Sequence, residues 1–167
     1  MSNTEYWLRG PVDGVAPLLQ PVAHALLQAR DDVVRVVMPL TIEQLWATPG
    51  GAASIGFHVK HLVGSLDRLL GYARGAALSP EQLAYLRAET APENPPAPAS
   101  TLLATFGAGI DRALDQVRNT PEHVLLEHRA VGRQQLPSTV LGLMFHAAEH
   151  TTRHAGQIIT TSKIVTS

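Results

Sequence analysis

The sequence predicts an all-α protein, an antiparallel four-helix bundle. Three observations carry that reading. Apolar residues recur at steps of three and four through segments of bundle length, near residues 19–37, 54–74, 101–118 and 138–162. These segments are bounded by helix-starting and helix-stopping residues. The β-branched run of Val33, Val34, Val36 and Val37 sits inside a longer helical period, which outweighs its strand propensity.

Residues 1–17 read as irregular, broken by Gly10, Pro11, Gly14 and Pro17. Tyr6, Trp7 and Leu8 are apolar and are expected to pack onto the body or a second subunit. The first long helix starts near Leu18 to Pro21, since a proline is tolerated in a first turn. Val22, Leu26, Ala29, Val33 and Val36 form its core stripe, and Pro39 stops it.

Thr41 and Gln44 fit a capping box opening a short turn through Leu45 and Trp46. After the Pro49-Gly50-Gly51 loop, Ser54 caps the second long helix, which Gly75 ends. Ser79, Pro80 and Gln82 make another capping box with proline at the first helical position, starting a helix to about Glu89.

Residues 91–99 (APENPPAPA) read as a Pro-rich surface loop, too short to separate a pair of cores, so residues 1–167 are expected to form one domain. The third long helix begins near Thr101, with Gly107 and Gly109 read as close-packing positions. Residues 121–136 read as a connection with an extended piece at 131–134. Pro137 and Ser138 then read as a stop and an N-cap before the last helix.

Composition narrows the function. The formal net charge is -1 and no block of Lys or Arg occurs, which argues against a nucleic-acid surface. There are no cysteines, so any metal must be held by imidazole, carboxylate or water, and any thiol must come from outside. The N-terminus has no apolar signal core, and no run approaches the roughly 20 apolar residues of a membrane span. A cytoplasmic location, with no membrane partner, is the expectation.

The chemistry concentrates in FHAAEHTTRHAGQII, residues 145–159, which carries His146, His150 and His154. Each step of four residues turns a helix by about 40°, so neighbouring imidazoles lie one turn apart on nearly one face. Two of them can aim at one divalent ion. Leu143, Ala147 and Ile158 share this side, while Glu149 and Arg153 form an i,i+4 pair that suits the rim.

In the second long helix His58 and His61 lie about 60° apart on one face. One of them with His150 and His154 would make a three-histidine site with an open position, the pattern of a catalytic rather than a closed structural centre. The competing reading leaves His58 and His61 at a wet bundle end with no metal. His24, His123 and His128 are scattered and read as structural or surface residues.

Two stretches carry a family resemblance: LWATPGGAASIGFHVKHL, residues 45–62, and HAAEHTTRHAGQ, residues 146–157. With them the chain resembles the DinB/YfiT-like superfamily of helical-bundle metalloenzymes, over residues 19–163. The resemblance implies that His61 joins His150 and His154 as metal ligands. His58, His146 and Gln157 stand as reserve ligands or hydrogen-bonding neighbours. Family members often carry arginine between the last histidine and the glycine; here that position is Ala155, with Arg153 before the histidine.

The resemblance also implies nickel or zinc, a homodimer, and a small-molecule reaction using an exogenous low-molecular-weight thiol, as in an S-transferase, or water, as in a hydrolase. The alternative is a non-catalytic bundle whose metal only locks two helices together as an interaction module. No catalytic base is legible, because Glu149 is expected to face away from the site.

Overall fold

The computed structural model describes residues 4–167; the first three residues of the irregular N-terminal stretch lie outside it. A short 3-10 turn at Tyr6–Leu8 lies against the first long helix, where the Tyr6 amide donates to Gln28 Oε1. Trp7 and Leu8 themselves remain exposed.

Helix α1 (Gln20–Val37) has its proline in the first turn, where the missing N–H costs no hydrogen bond. It buries Val22, Leu26, Ala29 and Val33 as expected, but the last buried position of the stripe is Val37, and Val36 is only partly buried. The short α2 (Ile42–Trp46) opens on the full Thr41–Gln44 capping box. Helix α3 (Ile55–Ala73) is capped by Ser54, which accepts from the Phe57 amide. Gly75 ends it at φ +78, a left-handed conformation that glycine adopts without a Cβ penalty. Helix α4 (Pro80–Ala88) carries its own capping box from Ser79 to Gln82. Helix α5 (Ala99–Arg118) and helix α6 (Val140–Val165) complete the set.

Three further local expectations are corrected. Residues 128–139 form a β-hairpin, β1 (His128–Val131) against β2 (Leu136–Thr139), so most of the stretch expected to be extended, 131–134, is the turn between strands. Ser138 pairs with Arg129 inside β2, and Thr139 caps α6 instead by accepting from the Gly142 amide. Gly109 packs against Val63, but nothing lies where a Cβ on Gly107 would point, so only one of these glycines sits at a close contact.

The side-chain pairings set the helix directions. His58 meets His154 and His61 meets His150, so α3 and α6 are antiparallel. Arg30 reaches Asp111 while Gly14, just ahead of α1, lies beside Arg118, so α1 and α5 are antiparallel too. Val63 lies near Gly109, and Gln116 donates to the Leu70 carbonyl, so α3 and α5 run the same way. Two consecutive long helices in one direction need a crossover, and residues 74–98 supply it.

Within that crossover α4 runs back along α3. Gln82 bonds Asp67, Tyr85 donates to the Lys60 carbonyl, and Lys60 Nζ donates to the Ala88 and Ala91 carbonyls. The chain is thereby returned to the start of α3, where α5 begins. Between the long helices Leu26, Leu62, Leu66, Phe106, Ile110, Met144 and Ile158 are all buried. Each such side chain contributes about 1.5–3 kcal/mol of transfer free energy. No helix among the described residues is long and apolar enough to cross a membrane.

Candidate metal centre

The antiparallel pairing of α3 with α6 builds the site. His58 and His61 point from the first half of α3, and His150 and His154 from the middle of α6. Because the helices run oppositely, residues advancing on one meet residues receding on the other. His61 Nε2 lies 3.0 Å from His150 Nε2, and His58 Nδ1 lies 3.0 Å from His154 Nδ1. The His150 and His154 rings are 4.5 Å apart between centroids, and His61 is 4.7 Å from His154. One ring nitrogen from each of His61, His150 and His154 falls within 4.8 Å of the others.

The other residues singled out in the sequence fall around this cluster. His58 is 6% exposed and backs onto His154. His146 is half-exposed at the rim rather than on the core-facing stripe; its Nδ1 is 2.7 Å from Glu149 Oε1, and its ring is 5.6 Å from that of His150. Glu149 also accepts two hydrogen bonds from Arg153, each 2.7 Å. Gln157 is exposed and no hydrogen bond joins it to the histidines. Phe57 stacks on the His61 ring at 5.5 Å and covers one side of it. His24 meets the Gly10 carbonyl and takes no place in the cluster.

One member of the site, Glu89, is not among the residues the sequence reading singled out. Glu89, 1% exposed, places Oε2 at 2.6 Å from His61 Nδ1 and Oε1 at 2.5 Å from Arg68 Nη1. It stands at the C-cap of α4, where the helix dipole disfavours a carboxylate. That misplaced charge was the available signal that Glu89 has a partner beyond its own helix. Gly64 makes room for it: a Cβ there would lie 2.6 Å from both Glu89 Oε1 and Arg68 Nη1.

Burial disfavours the charged form of three of these rings, His58, His150 and His154. It is the main cause pushing His154 down to about 4 from 6.5, with the neighbouring His150, His61 and His58 adding to it. Burial, then His61, lowers His58, and burial, then His61 and His146, lowers His150. Neutral imidazoles are the form a metal ion binds.

The donor set fits a divalent ion on two further counts. Two nitrogens each about 2.0–2.1 Å from one tetrahedral ion stand roughly 3.3 Å apart, close to the His61–His150 separation. The buried His150 Nδ1 has no hydrogen-bond partner, so the four rings do not form a closed polar network that needs nothing more.

Fold and site together define a class: helical-bundle proteins with a histidine cluster of metal-binding chemistry between two antiparallel inner helices. A family model for the DinB superfamily matches residues 25–158, and the chain belongs to that superfamily, which is metal-binding. A solved structure, described as a conserved protein of a locus from Enterococcus faecalis, is similar in fold with a TM-score of 0.69. That similarity covers 88% of this chain and 96% of the other at 15% identity, so it speaks to fold alone. No curated protein matches the chain at a significant level.

Proposed function

We propose that the protein is a metal-dependent enzyme acting on a small molecule, with one divalent ion held by His61, His150 and His154. The observation that carries this reading is the convergence of three ring nitrogens within 4.8 Å. Imidazole donors suit zinc and nickel among the available divalent metals. A cation bound to three neutral ligands supplies Lewis acidity, lowering the pKa of a water or an exogenous thiol brought to it.

The chain's own residues do the rest. Glu89 and His58 back two of the donor rings at Nδ1. Phe57 shields one side of His61 from water. In this reading the acceptor for a released proton would be His146, which Glu149 holds through Nδ1 and whose ring lies 5.6 Å from that of His150. With no cysteine in the chain, the sulfur of a thiol-transfer reaction would come from a low-molecular-weight cosubstrate, and we place S-transfer ahead of hydrolysis.

The test is cobalt substitution followed by titration with a panel of low-molecular-weight thiols. A thiolate-to-cobalt charge-transfer band supports thiol activation. Exchangeable water with no response to any thiol moves the assignment to hydrolysis. No exchangeable position at all leaves a metal that only joins α3 to α6.

A further inference from the structure

A buried carboxylate on a crossover segment is costly, and packing alone does not require it. Glu89 has both oxygens engaged, one by His61 Nδ1 and the other by Arg68 Nη1. A carboxylate only accepts and a guanidinium only donates, so the direction of each bond is fixed: Arg68 donates to Oε1, and His61 donates from Nδ1 to Oε2.

We propose that Glu89 is a positioning residue for the metal centre. It locks His61 with its proton on Nδ1 and its Nε2 lone pair facing His150 and His154, and Arg68 makes that lock one-directional. The proposal rests on the reading of His61, His150 and His154 as ligands. A hydrogen-bonded carboxylate behind a metal-ligating imidazole fixes the tautomer and raises ligand basicity.

The segment around Glu89 is built to hold it there. Lys60 Nζ, itself nearly buried, donates to the carbonyls of Ala88 and Ala91 on either side and pairs with Glu93 at 2.8 Å. Gly64 leaves the space that the carboxylate, Arg68 and Tyr85 fill. The metal centre thus draws on three segments: α3 and α6 supply the rings, and the crossover supplies the group that aims His61.

Glu89→Gln is the informative substitution because Arg68 dictates how the amide sits. The amide oxygen must face Arg68, since a guanidinium cannot accept. The NH2 group then faces His61 Nδ1, which must accept, and the ring proton moves to Nε2, where it points into the cluster. Zinc affinity should fall by about 10–100-fold. Adding Arg68→Met removes the constraint, lets the amide turn its oxygen to His61, and should restore most of the affinity.

Two readouts decide the matter: long-range proton–nitrogen NMR of the histidine rings in chelator-treated protein, and zinc affinity by competition with a chromophoric chelator. The expected result is Nδ1–H on His61 in the wild type, Nε2–H in Glu89→Gln, and Nδ1–H again in the double variant, with affinity following the same order. An Nε2–H tautomer in the wild type overturns the proposal without any variant having to fold. So does a Glu89→Gln protein with wild-type tautomer and affinity, or a double variant no better than the single. If the wild type itself binds no zinc, the ligand assignment fails, while the tautomer series still judges Glu89.

Discussion

His61 and His150 face each other across α3 and α6 with their Nε2 atoms 3.0 Å apart. The His61 ring is tied from behind by Glu89, whereas the other nitrogen of His150 is buried with no partner. The pair is therefore anchored on one side and unsatisfied on the other. In the metal-free protein a proton on His150 Nε2 can bridge the pair by donating to His61 Nε2, and a shared cation would take that proton's place between the two nitrogens.

Metal should stabilise the fold. At a free zinc concentration of about 100 times Kd, binding to the native state alone adds about 2.7 kcal/mol. For a chain of this size each kcal/mol raises Tm by roughly 2–4 °C. Scanning calorimetry with and without zinc should show a shift of several degrees. Changing His150 and His154 together to Ala should abolish the shift; an undiminished shift in that variant would place the ion elsewhere.

Acid should destabilise the metal-free protein before its carboxylates titrate. Burial lowers His58, His150 and His154, the last to about 4, from an ordinary 6.5. Between those values the unfolded chain binds more protons than the folded one, so stability falls as pH falls through the window and is fully present above 6.5. Urea midpoints should drop as pH is lowered from about 7 to about 5. A His154→Ala variant should show a shallower drop.

Gly64→Ala should be destabilising despite helix propensity favouring alanine. The new Cβ would meet Arg68 Nη1 and Glu89 Oε1 at 2.6 Å and Tyr85 Cδ1 at 2.8 Å. Overpacking of this kind costs about 1–3 kcal/mol. Denaturant unfolding measures the loss. Hydrogen exchange should place the loosening in residues 80–93, the segment that Gly64 supports.

Phe106→Ala provides a contrast away from the histidines. The ring is wholly buried on α5, and its removal should cost about 3–5 kcal/mol. Zinc content of the protein that remains folded at low temperature should be unchanged. Loss of metal together with stability would show that the site depends on the whole core rather than on α3, α4 and α6.

Local rules were enough for much of this molecule. The caps at Thr41, Ser54 and Ser79 lie where their sequence context predicts, because a cap joins residues three apart and needs no tertiary context. The four long helices and the close approach of the His150 and His154 rings follow from the helical period for the same reason. The bond from Arg153 to Glu149 is likewise an i,i+4 event.

What the sequence could not contain is the meeting of segments far apart along the chain. The hairpin at 128–139 is not legible there because its strands are four residues each, too short for an alternating period to emerge. His146 leaves the core stripe because at two steps from His154 the helix face has turned by about 80°. The crossover direction of 74–98 decided that Glu89 would return to His61, and no local pattern records such a return. Spacing determined that two imidazoles would share a face. Only the packing of α4 along α3 and of α6 against it decided which third ring joins them, and which carboxylate stands behind it.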